Sequence, residues 1–198
     1  MVPPIISTRP LEIESPRPFP RKAFVWASFP DPHHPFDCPE PWSRLHRDDE
    51  VDLPAHRTLD LDRRPWWHRA SLESEPVGSE EIRKIRKGVS RMNTLSDNQL
   101  RRVTSNYFGM ISLIDHQVGR IKTLLSNLNL LNNTIIIFAS DHGEYLGDHG
   151  LMLKGPMAYE GLLRVPLVMQ GKGIPSGVRI SQPVSTLDLA DTILDFTG

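Results

Sequence analysis

The sharpest chemical feature of this chain is the triplet Asp141-His142-Gly143. A carboxylate oxygen and an imidazole nitrogen are both good ligands for a divalent metal ion, and glycine lets the backbone approach closely. The alternative is an ordinary turn in which Asp141 caps the next segment. Two adjacent ligands do not complete a coordination sphere, so a metal site here would need further ligands from elsewhere.

A single lysine follows this triplet in a short loop. Lys154 stands beside Gly155 and Pro156, twelve residues after His142. Its ammonium group could bind an anionic substrate or stabilise the negative charge that develops in a transition state. A lone lysine is more often simply solvated, and its closeness to the Asp-His pair is what favours the functional interpretation.

Two adjacent histidines lie in a proline-rich loop earlier in the chain. His33 and His34 are flanked by Pro32 and Pro35. Imidazole is the obvious general acid for a leaving oxygen at neutral pH. The alternative is a loop histidine whose ring is hydrogen-bonded to the backbone. Residue types alone do not choose between the two histidines.

Three further sites carry reactive residue types but are weaker candidates. Asp148-His149 repeats the Asp-His pair, and a supporting or structural role is the better interpretation. Asp115-His116 lies in the middle of a helical pattern, which indicates a structural role. Cys38 is a lone loop cysteine with no base arranged beside it, so it is not expected to act as a nucleophile.

Hydrophobic patterning predicts the strands that would carry these residues. The apolar run at 23–29 predicts a buried strand that leads into the proline-rich loop 30–36. The run at 134–140 predicts a central strand of a parallel sheet covered on both faces. Ligands of open α/β sheets bind at the carboxyl ends of strands. We therefore expect both strands in one sheet, with His33 and Asp141 on the same edge.

The remaining elements complete an α/β pattern. Ser79 and Ser96 are predicted to cap a short and a long helix, and residues 164–169 predict a further strand. Ser185 or Thr186 is predicted to cap a last helix. Helix, tight turn and buried strand in succession indicate an α/β fold, with a mixed or largely parallel sheet flanked by helices.

Composition limits the function classes. The chain has 198 residues, of which 38% are hydrophobic and 24% charged, as expected for a globular domain. A net charge of −1 gives no overall field for nucleic acid or a membrane surface. The single cysteine excludes an internal disulfide framework and a multi-cysteine zinc site.

There is no apolar stretch of the ~20 residues that a membrane helix needs. No signal-peptide pattern precedes residue 23, which favours the cytoplasm but leaves the compartment open.

Several segments of the chain, taken in their order along the sequence, resemble the sulfatase family of the alkaline-phosphatase-like superfamily. The resemblance covers residues 18–198 and is carried by WASFPDPHHPF, YFGMISLIDHQVGRI, TIIIFASDHGEYLGDHGLMLKG and STLDLADTILDFTG. It implies that residues 23–198 form part of a sulfatase catalytic domain, whereas the polar, proline-rich composition of residues 1–22 predicts an irregular lead-in. The resemblance also implies hydrolysis of a small-molecule or glycan sulfate ester. The balanced charge predicts no nucleic acid partner, and the sequence leaves the oligomeric state undetermined.

The resemblance also implies site roles. Asp141 and His142 match the family's downstream pair of metal ligands, for which calcium is the usual ion and Mn²⁺ or Mg²⁺ the alternatives. Lys154 would contact the sulfate and the leaving oxygen. His33 would help protonate the leaving alcohol, and His34 fills the variable position of that motif. A supporting role would fit His34 and also the second Asp-His pair.

One part of the family pattern is missing from these residues. The family's nucleophile lies in Cys/Ser-x-Pro-x-Arg, where the Cys or Ser becomes formylglycine, and this chain has no such motif. Cys38 has neither the spacing nor the order relative to His33. The resemblance therefore implies a fragment without the nucleophile region and the C-terminal subdomain. The alternatives are a phosphonate or phosphate esterase of the same superfamily and a non-catalytic remnant.

Overall fold

The structure is a computed structural model that describes residues 23–55, 63–66, 68, 78–89 and 95–197. The described residues form two compact units, one within residues 29–186 and one that joins residues 23–28 to 187–197. No helix within the described ranges is long and apolar enough to cross a membrane.

Four helices and two strands make up the regular structure of the described residues. The helices are α1 (Glu80–Val89), α2 (Asp97–Asn127), α3 (Glu160–Leu163) and α4 (Asp188–Thr197), and the strands are β1 (Ile136–Ala139) and β2 (Leu167–Gln170). Short 3₁₀ turns lie at Trp42–Arg44, Asp48–Glu50, Leu131–Asn133 and Asp148–Gly150. The predicted helices and the strands near 134–140 and 164–169 are confirmed, with shorter or shifted bounds for the strands.

The long helix α2 is the scaffold of the larger unit. Its N-terminus is closed by a capping box, in which the Ser96 side chain accepts from the Gln99 backbone and Gln99 accepts from the Ser96 N–H. One face is buried along Leu100, Met110, Leu113 and Ile114. The predicted Ser79 cap of α1 is also present, because the Ile82 N–H donates to the Ser79 hydroxyl at 3.3 Å.

The segment that follows the His33-His34 loop is fastened to α2. The Asn106 amide donates to the Phe36 carbonyl at 3.2 Å, and the Ser105 hydroxyl donates to the His46 carbonyl at 2.6 Å. At Gly109 the backbones come so close that a Cβ would lie 2.5 Å from the Trp42 carbonyl oxygen. These contacts fix the proline-rich loop against the helix.

The two described strands pair antiparallel, with Ile136 opposite Gln170 and Ala139 opposite Leu167. The local apolar pattern predicted a parallel neighbour for β1, and among the described residues its neighbour is the antiparallel β2. The residues of β1 are half-buried or exposed rather than enclosed on both faces. The described portion of the sheet is therefore antiparallel, and the predicted parallel pairing is not seen among the described residues.

The predicted strand at 23–29 is wrong for the structure as it stands. Residues 23–28 have no regular structure, and Phe24, Val25 and Trp26 are 65%, 83% and 80% exposed. A strand requires a hydrogen-bonded neighbour, and the described residues provide none for this run. The expected sheet of 23–29 with 134–140 is therefore not formed. The same small unit contains α4, which confirms the last predicted helix.

Candidate functional site

Asp141 and His142 lie immediately beyond β1, where their side chains are held by local hydrogen bonds. Asp141 Oδ1 accepts the His142 backbone N–H at 2.8 Å, and the Ser140 hydroxyl donates to the His142 carbonyl at 2.9 Å. His142 Nδ1 lies 2.8 Å from the Gly143 carbonyl, which can only accept, so Nδ1 carries the proton. In the neutral ring the Nε2 lone pair is then free to bind an electrophile.

The donor atoms of this pair fit a divalent cation. His142 Nε2 and Asp141 Oδ2 are 3.6 Å apart. Neighbouring ligands of one cation, each about 2.0–2.6 Å from it, lie at a similar separation. The Asp141 side chain is 84% exposed and that of His142 39%, so an ion can reach both. Within the described ranges no third His, Cys, Asp or Glu joins them to complete a metal-binding group.

The Asp141 carboxylate is held in its charged form. Partial desolvation raises its pKa, but the hydrogen bond from the His142 N–H and the charges of His142 and Lys154 outweigh that effect. The pKa of Asp141 therefore lies below its ordinary value. An ionised carboxylate is the form that binds a metal ion, so the group is ready for that role at neutral pH.

Lys154 is exposed and places its charge near both halves of the candidate site. Besides its effect on Asp141, its positive charge helps lower the pKa of His34. Glu144 feels the same charge, although desolvation by burial dominates and raises the pKa of that carboxyl. The structure therefore brings Lys154 into electrostatic range of the Asp-His pair and of the proline-rich loop.

The two loop histidines differ in their surroundings. His33 is exposed, and its Nδ1 donates to the His34 carbonyl at 2.6 Å while the two rings stack at 4.1 Å. His34 is half-buried, and its pKa is lowered first by desolvation and then by the charges of His33 and Lys154. The His34 ring is thus within electrostatic range of Lys154. Which ring meets a substrate stays a prediction, with His33 favoured by the family motif.

The second Asp-His pair has the geometry of the first but lies deeper. His149 Nε2 is 3.6 Å from Asp148 Oδ2, and these side chains are only 13% and 24% exposed. The His149 ring stacks on Tyr159 at 3.8 Å between centroids. This packing is consistent with the supporting role that the sequence predicted for His149.

The structure also shows contacts of the site loop that sequence reasoning missed. Tyr145 is 3% exposed and its hydroxyl lies 2.7 Å from the Met157 carbonyl. His68 is fully buried, and its Nδ1 lies 2.7 Å from the hydroxyl of Tyr159, which is 91 residues later in the sequence. Tyr145 is an aromatic residue in an otherwise polar, glycine-rich segment, and this contrast could have indicated that it is buried. The segment around His68 has no local pattern that would have singled it out.

Two weaker candidates have surroundings of a different kind. His116 contacts Trp42 at 5.1 Å between rings and lines a groove whose described lining residues belong to α2, and its structural role stays a prediction. Burial raises the pKa of the Cys38 thiol, and the carboxylates of Asp31 and Asp37 raise it further. The thiol therefore stays protonated at neutral pH, as expected for an inert cysteine.

Comparisons with a family model and with curated proteins both identify sulfatases as similar to this chain. The family model described as Sulfatase matches residues 13–198. An arylsulfatase of Clostridium perfringens is 34% identical over 177 residues, which are 87% of this chain and 33% of that protein. A choline-sulfatase of Rhizobium meliloti is 32% identical over 172 residues, which are 86% of this chain and 30% of that protein. The chain thus spans about a third of the length of these relatives.

The solved structures that are similar to this chain include two phosphonate monoester hydrolases. A phosphonate monoester hydrolase from Silicibacter pomeroyi has a TM-score of 0.67 and 25% identity, over 83% of this chain and 32% of that one. A phosphonate monoester hydrolase of Agrobacterium radiobacter has a TM-score of 0.55 and 30% identity, over 70% of this chain and 27% of that one.

Proposed function

This chain belongs to the sulfatase family, and we propose that it forms part of an enzyme that hydrolyses sulfate esters to an alcohol and sulfate. The observation that carries the proposal is the Asp141-His142 pair, whose donor atoms are 3.6 Å apart and accessible, together with the charge of Lys154 beside it. Cation ligands within electrostatic range of a lysine ammonium group suit a substrate with several anionic oxygens.

Each side chain has a distinct role in this proposal. Asp141 and His142 would hold a divalent cation, for which calcium is the proposed ion and which would supply positive charge opposite the sulfate oxygens. Lys154 would bind the same oxygens and offset the charge that develops on the leaving oxygen. His33, with His34 stacked on it, would donate a proton to the departing alcohol.

The nucleophile motif of the family, Cys/Ser-x-Pro-x-Arg, does not occur in these 198 residues, and burial raises the pKa of the Cys38 thiol, which disfavours its reactive thiolate form. In the family reaction the nucleophile forms the covalent sulfate intermediate, and none of the residues described above replaces it. We therefore expect the 198-residue chain by itself to show no turnover.

Hydrolysis of phosphonate monoesters is the second candidate. The two structures reported above are enzymes of that class, and both align with most of this chain. A phosphonate monoester also presents anionic oxygens to a cation and a lysine, so the described side chains would suit either substrate. The sulfate proposal is preferred because the family model and the curated relatives are sulfatases.

The test is a comparison of a matched aryl sulfate and aryl phosphonate as substrates of the full natural gene product. Asp141→Ala and Lys154→Ala should each lower kcat by about 10²–10³-fold, the usual cost of removing one charge-stabilising group. Lys172→Ala, at an exposed lysine beyond β2, is the matched control and should leave kcat unchanged. Faster turnover of the phosphonate would favour the second candidate. Full activity of both site variants would disprove the assignment of the site.

A further inference from the structure

Tyr145 holds the backbone on both sides of Lys154. Its N–H donates to the Leu153 carbonyl at 3.0 Å, and its hydroxyl donates to the Met157 carbonyl at 2.7 Å. The Gly155 carbonyl lies 3.2 Å from the same hydroxyl, within reach of a shared hydrogen bond. One residue thus spans the loop from 153 to 157, and Lys154 lies inside that span.

The anchor is itself rigid, because Tyr145 belongs to the buried apolar cluster of this unit. The cluster also contains Leu151, Met157 and Leu162, and the ring of Tyr159 packs against Tyr145 edge-on. Met157 is both a cluster member and the acceptor of the Tyr145 hydroxyl. Movement of the loop would therefore disturb the packed interior as well as a hydrogen bond.

The same short segment also carries the candidate metal ligands. Tyr145 lies three residues after His142, and the Gly143 N–H between them donates to the Leu162 carbonyl at 2.7 Å. The Lys154 side chain is exposed and flexible, so its reach toward Asp141 is set by where its backbone is held. The Leu153 backbone, with a φ of 63°, adopts a left-handed conformation that persists only when its surroundings impose it.

We propose that Tyr145 is a positioning residue, whose hydroxyl fixes the Lys154 loop relative to the Asp141-His142 pair. The inference rests on the proposed function, because positioning matters for turnover only if Lys154 binds the ester. A displacement of about 1 Å of a catalytic group can cost on the order of 10²-fold in rate. The hydroxyl is therefore expected to affect kcat far more than it affects folding.

The experiment compares Tyr145→Phe with Tyr159→Phe. Both variants lose one hydrogen-bonded tyrosine hydroxyl, but that of the half-buried Tyr159 bonds to His68 Nδ1 and not to the carbonyls of the Lys154 loop. In the natural gene product, Tyr145→Phe should lower kcat for an aryl sulfate by about 10–100-fold with KM little changed. Tyr159→Phe should change kcat by less than about threefold, the scatter expected of a substitution away from the reacting groups. Equal effects of the two variants on kcat would overturn the proposal.

Amide hydrogen exchange of the 198-residue chain separates failure of this inference from failure of the proposed function. Tyr145→Phe should accelerate exchange across residues 153–159, and Tyr159→Phe should not. Unchanged exchange in Tyr145→Phe would overturn the inference even if the enzyme is a sulfatase. Faster exchange in an enzyme that does not hydrolyse aryl sulfate would reject the function but keep the loop anchor.

A third variant covers the case in which Tyr145→Phe unfolds. Replacement of Tyr145 by 4-aminophenylalanine keeps the ring and a hydrogen-bond donor at the same position. It should restore both kcat and slow exchange to near the natural values. Failure of this donor to restore either property would overturn the role of the hydroxyl.

Discussion

A pair of glycine substitutions in helix α2 tests how tightly the segment after the histidine loop is packed. A Cβ at Gly109 would lie 2.5 Å from the Trp42 carbonyl oxygen and 2.8 Å from Cys38 Sγ. Ordinary contacts of a Cβ begin near 3.4 Å, so the Trp42 backbone would have to retreat by about 0.9 Å. Gly119 lies in the same helix, and a Cβ there would meet no atom within 4 Å.

The two substitutions should therefore have opposite signs. Alanine in place of glycine within a helix gains about 1 kcal/mol of unfolding free energy. Gly119→Ala should keep that gain and raise Tm by about 2–4 °C in a chain of this size. Overpacking against a backbone group costs up to about 3 kcal/mol, which leaves a net loss of about 2 kcal/mol for Gly109→Ala. That loss corresponds to a Tm lowered by roughly 4–8 °C.

Thermal and urea denaturation of the three proteins, followed by circular dichroism, measure this difference. The unfolding free energies of the two variants should differ by about 3 kcal/mol, since the helix-propensity gain is common to both. A Gly109→Ala protein as stable as Gly119→Ala would show that the Trp42 turn is not packed on α2 as described. The site loop that precedes this turn would then lack its anchor.

Three further outcomes follow from the site. Calcium titration calorimetry of the 198-residue chain should show weak binding, millimolar or weaker, because two ligands leave most of the coordination sphere to water, and Asp141→Asn should weaken it further; equal affinity would contradict the ligand assignment. Lys154→Met should raise the pKa of His34 in an NMR titration, because loss of a nearby positive charge makes protonation easier. An unchanged pKa of His34 would show that Lys154 does not lie within electrostatic range of it. Iodoacetamide should modify Cys38 more slowly at pH 8 than a free cysteine, because a raised pKa leaves less thiolate; fast alkylation would reopen its role as a nucleophile.

Local signals predicted the helices well, and they were also sufficient to propose Asp141 and His142 as metal ligands, which stays a prediction. The Ser96 cap and the apolar face of α2 depend on residues a few positions apart, so the pattern of the chain contains them. Asp141 and His142 are adjacent, so the sequence alone places their side chains close enough to be proposed as a ligand pair. The α/β class is confirmed by likeness to the solved phosphonate monoester hydrolases.

Long-range features were less accessible from the sequence. An apolar run does not indicate which strand will pair with it, so the antiparallel partner of β1 was not predicted. The apolar run at 23–28 predicted burial, but without a neighbouring strand these residues are exposed. The role of Tyr145 depends on two backbone carbonyls that reach it only after the loop folds back. The pairing of His68 with Tyr159 spans 91 residues and has no signature in either segment.

The exposed run at 24–28 has a consequence for the colloidal behaviour of the protein. Phe-Val-Trp-Ala-Ser is uncharged and contains no proline, and Phe24, Val25 and Trp26 are mostly exposed to water. Segments of this composition pair readily with copies of themselves. Light scattering should therefore rise with protein concentration, and Val25→Lys, which interrupts the run with a charge at a residue 83% exposed, should suppress that rise without lowering Tm.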